Sequence, residues 1–171
     1  MKPSRRAIAL VLPMLAALVS HFAFAAQPDA APEIRIDVPV ELKHAKVVFN
    51  MDHLAFSGDT PIGIKTMAVM AERFKKSGIE WSVAGVFQGV AGYMLLNDDA
   101  YNQARRIKTG NPFKAEIEQL IREGVIIEEC GVTMKGNRWT NANLLPGVKV
   151  NTGANFRLVD LMQQGYIMLQ P

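Results

Sequence analysis

The chain is predicted to be an α/β protein with a mostly parallel sheet of about five strands, covered by helices on both faces. Short apolar runs bounded by polar residues recur at Lys46–Met51, Trp81–Phe87 and Val125–Ile127, and they have the length and composition of buried strands. Segments with apolar residues at three- and four-residue steps lie between them, as amphipathic helices require. Strands that alternate with helices favour a parallel sheet.

Lys46–Met51 is the first strand. Thr60-Pro61 reads as a helix start, a capping hydroxyl before a proline at the first helical position. Ile64, Met67, Ala68, Ala71 and Phe74 define that helix's inner face, and Lys75, Lys76 and Gly78 close it. Trp81–Phe87 is the second strand, ended by Gln88-Gly89, and the apolar piece Val90–Leu96 leads into a helix over 98–107. Asn111-Pro112 opens a further helix through Glu123, with Phe113, Ile117, Leu120 and Ile121 on one side and Gly124 as its stop. Val125–Ile127 is the third strand, with Cys130 just past its end. Val148–Val150, a helix over Asn155–Gln164 and a last strand at Tyr166–Leu169 complete the pattern.

The N-terminus has three parts. Lys2, Arg5 and Arg6 supply positive charge, Ala7–Val19 is apolar, and Ala23-Phe24-Ala25 offers a small-x-small cleavage site. This is the pattern of a secretory signal peptide over residues 1–25, and its apolar stretch is shorter than the ~20 residues that span a bilayer. Ser4-Arg5-Arg6-Ala7-Ile8 fits a Sec signal or a twin-arginine signal. The expected destination is the periplasm. Residues 26–44 follow as an extended leader with Pro28, Pro32 and Pro39, in which Ile34, Ile36 and Val38 alternate; the domain itself is expected over 45–171.

Loss of residues 1–25 removes three basic residues and no acid, which leaves the 16 acidic residues facing as many basic ones. Such a balance gives no reason to expect nucleic acid or an anionic membrane as partner, and it is compatible with self-association. After residue 25 the chain has one cysteine and two histidines, His44 and His53, too few for a zinc site, so neither a metal nor a cofactor is expected. The methionines, Met67 and Met70 among them, read as core filler. The stretch from Phe56 to Gly63 has neither the lysine of a phosphate loop nor the three glycines of a dinucleotide fingerprint.

Ligands of parallel sheets sit at the carboxyl ends of the strands. Asp52 and His53 after the first strand, Gln88 after the second and Cys130 after the third would gather there, with Gly131 and Thr133 immediately following the cysteine. Exported proteins usually pair their cysteines, and Cys130 has no partner in its own chain. It is either a small buried hydrophobe or a reactive thiol, and a third option is a disulfide between chains. A helix starting at Gly131 or Val132 would point N–H groups at the sulfur and favour the thiolate. Glu128 and Glu129 would oppose that, with Lys135 and Arg138 as possible compensation. His53 is the one candidate base, with Asp52 or Asp59 beside it, but no spacing ties it to Cys130.

Several motifs carry a resemblance when taken together: Asp52 after the first strand, Leu95-Leu96-Asn97-Asp98-Asp99-x-Tyr101, Cys130-Gly131-Val132-Thr133, Asn143-Leu144-Leu145-Pro146-Gly147-Val148, Val150-x-x-Gly153, Leu161-x-x-x-Gly165-Tyr166 and Ile167-x-x-x-Pro171. In this order and spacing, residues 45–171 resemble the DsrE/DsrF-like family. The resemblance implies a three-layer α/β/α fold and association into trimers or hexamers. It also implies that Cys130 carries sulfane sulfur as a persulfide, taken from a donor protein and passed to an acceptor. Asp52, His53, Gln88, Gly131 and Thr133 would support it. The rival reading is a non-enzymatic oligomeric binding or structural protein with a buried cysteine.

Overall fold

The computed structural model describes residues 34–171. The expected signal peptide and the first part of the leader lie outside the described residues. The chain divides after Pro39. Residues 34–39 carry an ion pair between Arg35 and Asp37 at 2.8 Å, and the rest of the description concerns Val40–Pro171.

The elements follow in this order: β1 His44–Met51, β2 Phe56–Ser57, β3 Thr60–Pro61, α1 Ile62–Ser77, β4 Glu80–Phe87, a 3-10 helix Gly89–Leu95, α2 Asp98–Arg105, α3 Lys114–Arg122, β5 Ile126–Cys130, α4 Gly131–Asn137, a 3-10 turn Asn141–Asn143, β6 Lys149–Asn151, α5 Ala154–Gln163 and β7 Ile167–Leu169. The main sheet runs β6-β5-β4-β1-β7, and every pair in it is parallel. The expected α/β fold and strand number are therefore present.

The two faces differ in depth. Val47, Phe49 and Met51 of β1, Val83 and Phe87 of β4, and Val125 and Ile127 pack with α1, α3 and the 3-10 helix into the larger core. The alternate residues Val48, Ala84, Val86 and Cys130 face Ala154, Leu158 and Leu161 of α5. Strand periodicity divides the residues in this way, since successive side chains leave a strand on opposite sides. The chain builds outward from β1 through β4 and β5 to β6. It then crosses back by α5 to reach the other side of β1, which requires the opposite face if crossovers stay right-handed.

Three details differ from the sequence expectations. Thr60-Pro61 does not start a helix but forms a short hairpin with Phe56-Ser57, and α1 begins at Ile62 with Pro61 as its N-cap. Proline's fixed φ suits both uses. Cys130 is the last residue of β5, not a residue beyond it: Glu128 and Glu129 read as polar terminators, yet both are buried in the strand. The apolar piece before α2 is a 3-10 helix, whose buried Ala91, Gly92, Met94 and Leu95 dock it against the larger core.

Candidate functional site

The strand ends lie level. Met51 pairs with Phe87, Phe87 with Glu129, and Cys130 with Asn151, so the loops after β1, β4, β5 and β6 open on one edge. Cys130 lies between the beginnings of two helices. Gly131 starts α4 at once, and a side chain there would come within 2.7 Å of the Asn151 carbonyl; glycine permits this close turn. Helix α5 has no side-chain cap. Its first N–H, that of Ala154, donates instead to the Cys130 sulfur at 3.3 Å. An N-terminal N–H ordinarily finds a side-chain oxygen; here sulfur takes that place.

Cys130 is 4% exposed. Burial alone would push its thiol up. The N–H groups of Thr133 and Ala154, the Thr133 hydroxyl and the Val132 N–H outweigh burial, and the thiol lies below its ordinary value.

The two carboxyls that sequence reasoning set against the thiolate are both handled by the fold. Arg157 donates from Nε at 2.9 Å and from Nη2 at 2.8 Å to Glu128, a two-point contact of the kind guanidinium favours. Asn151 Nδ2 adds a longer bond at 3.3 Å, and Arg157 also engages Asp160. The compensating cation is thus Arg157, because Lys135 and Arg138 are exposed on and after α4. Glu129 lies on the opposite face of β5 and is pushed up to about 8, by burial first and then by the neighbouring sulfur.

The remaining predicted residues form a second cluster on the same edge. His53 Nδ1 lies 2.6 Å from Asp52 Oδ1, and this contact holds the Asp52 carboxyl below the usual carboxylate range. Asn50 Nδ2 and Gln170 Nε2 also donate to Asp52, at 3.2 and 3.0 Å. Gln88 Nε2 donates to Asn50 Oδ1 at 2.9 Å. The next residue, Gly89, donates its N–H to Thr133 Oγ1 at 2.9 Å, and Thr133 reaches the sulfur. Asp52, His53 and Gln88 therefore connect to Cys130 through backbone and Thr133. His53 bonds Asp52 and makes no hydrogen bond to the sulfur, so among the described residues no base is paired with the thiol.

Sequence reasoning missed Asn50, Gln170, Ala154 and Arg157. Asn50 alone had a usable signal, as the polar residue next to last in an apolar strand. The other three act through contacts with residues far away in the chain. A groove of about 470 Å³ opens between β6 and α5, with Glu128, Val150, Asn151, Phe156 and Arg157 in its wall; Cys130 does not line it. A groove of about 710 Å³ between α1 and α3 has Asp59 in its wall but not Cys130, Asp52, His53 or Gln88, and of the two acids expected beside His53 it is Asp52 that bonds it. Among the described residues no group of three or more His, Cys, Asp or Glu could hold a metal ion, and no helix is long and apolar enough to cross a membrane.

Solved structures that resemble the chain include the following two. One is the protein of unknown function MTH1491 from Methanobacterium thermoautotrophicum, with 18% identity and a TM-score of 0.55. The other is the ychN protein from E. coli, with 13% identity and a TM-score of 0.54. Each comparison covers 74% of this chain and 99% of the other. At these identities the likeness is one of fold. No curated protein matches the sequence. The model of the DsrE/DsrF-like family matches residues 46–171, and the chain belongs to that family.

Proposed function

We propose that the protein is an exported sulfur carrier that holds sulfane sulfur as a persulfide on Cys130 and passes it to a partner. The observation that carries this reading is a lone thiol at the carboxyl edge of the sheet, held below its ordinary value by hydrogen-bond donors that favour the thiolate. The thiolate is the nucleophile. It attacks the outer sulfur of a donor persulfide. A new S–S bond forms on Cys130, the donor's S–S bond breaks, and the donor leaves as a thiolate. An acceptor thiolate repeats the exchange in the other direction, with no net oxidation. Asp52, His53 and Gln88 support the site from the neighbouring cluster through Gly89 and Thr133, and Gly131 and Thr133 shape the turn that presents N–H and hydroxyl donors to sulfur. A periplasmic location and assembly into trimers or hexamers belong to the same proposal, supported by the N-terminal pattern and by family membership.

Mass spectrometry of the folded protein after exposure to a sulfane-sulfur donor tests it. One added sulfur on the native chain and none on Cys130→Ser is the expected result. An equal adduct on both proteins sinks the reading.

One observation favours the alternative, a binding or structural protein with an inert cysteine: the residue is 4% exposed. Titration of the thiol in the folded and unfolded protein separates the two. A thiol that reacts only after unfolding supports the alternative.

A further inference from the structure

Strand β5 carries two consecutive carboxyls, and its pleat sends them to opposite faces. Glu128 shares the face of Cys130 and is held by Arg157 and Asn151. Glu129 points under the 3-10 helix and is 0% exposed. Among the described residues neither of its oxygens has a hydrogen-bond partner. Gly92 lies so near that a Cβ there would stand 2.6 Å from Oε1, so the carboxyl is pinned against backbone with no room for another side chain. A carboxylate in such a place bears a desolvation cost that the nearby Cys130 backbone N–H offsets only in small part, and the neutral acid bears far less.

The ionisable groups on the surrounding elements do not change this. Tyr93 of the 3-10 helix gives its hydroxyl to Asn137. Lys135, Arg138 and Lys149 are exposed. On α3, Lys114 is engaged with Asp98, Arg122 with Gln119, and Glu116, Glu118 and Glu123 exert no charge effect on Glu129. The one charge that acts on it is the Cys130 sulfur, one peptide unit away.

We propose that Glu129 is a positioning residue for the thiol: a buried carboxylic acid that keeps its proton at neutral pH, so that the negative charge of the pair resides on the Cys130 sulfur alone. The inference builds on the sulfur-carrier reading but does not stand or fall with it, since it concerns ionisation and not cargo. While Glu129 is neutral, anionic sulfur compounds meet one charge at this end of β5. When Glu129 ionises, a second charge stands behind the sulfur, and anionic reagents are repelled while neutral ones are not.

Alkylation of the folded full-length protein with iodoacetate and with iodoacetamide across a pH series tests this. The ratio of the two rates cancels changes in the sulfur's intrinsic nucleophilicity. In the native protein the ratio is expected to hold near neutral pH and to fall roughly three- to tenfold as pH passes about 8. In Glu129→Gln and in Glu129→Met, the second chosen in case a buried amide does not fold, the ratio stays flat. A native ratio that never falls, or an equal fall in the variants, overturns the inference. Failure to react with either reagent counts against the nucleophile, and infrared spectroscopy then decides for Glu129. The expected protonated-carboxyl band is present at neutral pH in the native protein, missing in both variants, and lost at lower pH in Cys130→Ser. Absence of the band at neutral pH, or no shift in Cys130→Ser, overturns the inference.

Discussion

Glu129 carries a proton equilibrium that couples to stability. Its carboxyl is raised from 4.5 to about 8 in the folded chain, so the folded state binds this proton more tightly than the unfolded state does. The stabilisation is complete below 4.5 and is lost as pH rises towards 8. Denaturant unfolding of the native protein should therefore show stability falling by roughly 3 kcal/mol between pH 4.5 and neutrality. The lowered carboxyls Asp52, Glu72, Asp98 and Asp160 lose their contributions at more acid pH, outside this window. In Glu129→Met that slope disappears and the neutral-pH stability rises, because an apolar side chain leaves no oxygen unsatisfied. A slope that survives the substitution assigns the effect to another group.

Arg157 works in the other direction. It offsets Glu128, whose side chain is 6% exposed, and lies in the same layer as the thiol. Arg157→Met would leave a buried carboxylate without its cation at a cost of roughly 3 kcal/mol. It would also move the onset of Cys130 alkylation to higher pH, since an uncompensated anion disfavours the thiolate. A loss of stability with no change in the alkylation profile would mean that Arg157 serves packing alone.

At the scale of elements, the 3-10 helix sets how tightly Glu129 is enclosed. Gly92→Ala places a methyl group inside the carboxyl's contact distance, and overpacking of this kind costs about 1–3 kcal/mol. Combining it with Glu129→Ala should recover part of that loss in a double-mutant cycle of unfolding free energies. Strict additivity would place the clash elsewhere. The same elements show what a sequence discloses. Strands β1 and β4 and the inner face of α1 were legible because their apolar residues recur at the period of their own geometry. The hairpin Phe56–Pro61 was not legible, because a hydroxyl followed by proline suits a helix start as well as a turn. The full length of β5 was hidden for a different reason. Glu128 and Glu129 belong in a buried strand only because Arg157, 29 residues later, meets one of them and the other gives up its charge. Cys130, Asp52, His53 and Gln88 could be assigned to one edge from topology alone. The donors that act on the sulfur could not, since Ala154 reaches it only after β6 has placed α5.

Across the whole molecule, stability is graded from the centre of the sheet outward. Strands β1 and β4 share an eight-residue register and supply fully buried residues to both cores. The flanking β6 and β7 have three residues each, and β7 is exposed throughout. Native-state hydrogen exchange should be slowest in β1 and β4, intermediate in β5 and fastest in β6 and β7. Uniform protection across all five strands would contradict this gradient. The candidate site straddles it, with Gln88 at the end of a rigid strand and Asn151 on a yielding one.

The sulfur of Cys130 also serves as the stop that seats the first N–H of α5. Any group placed on that sulfur moves or weakens this acceptor, and loss of such a seat is worth about 1 kcal/mol to a helix. The occupancy of a single atom is thus recorded in how firmly the start of α5 is held, beside the exposed ring of Phe156. The empty and the charged protein would then present different surfaces to whatever meets them.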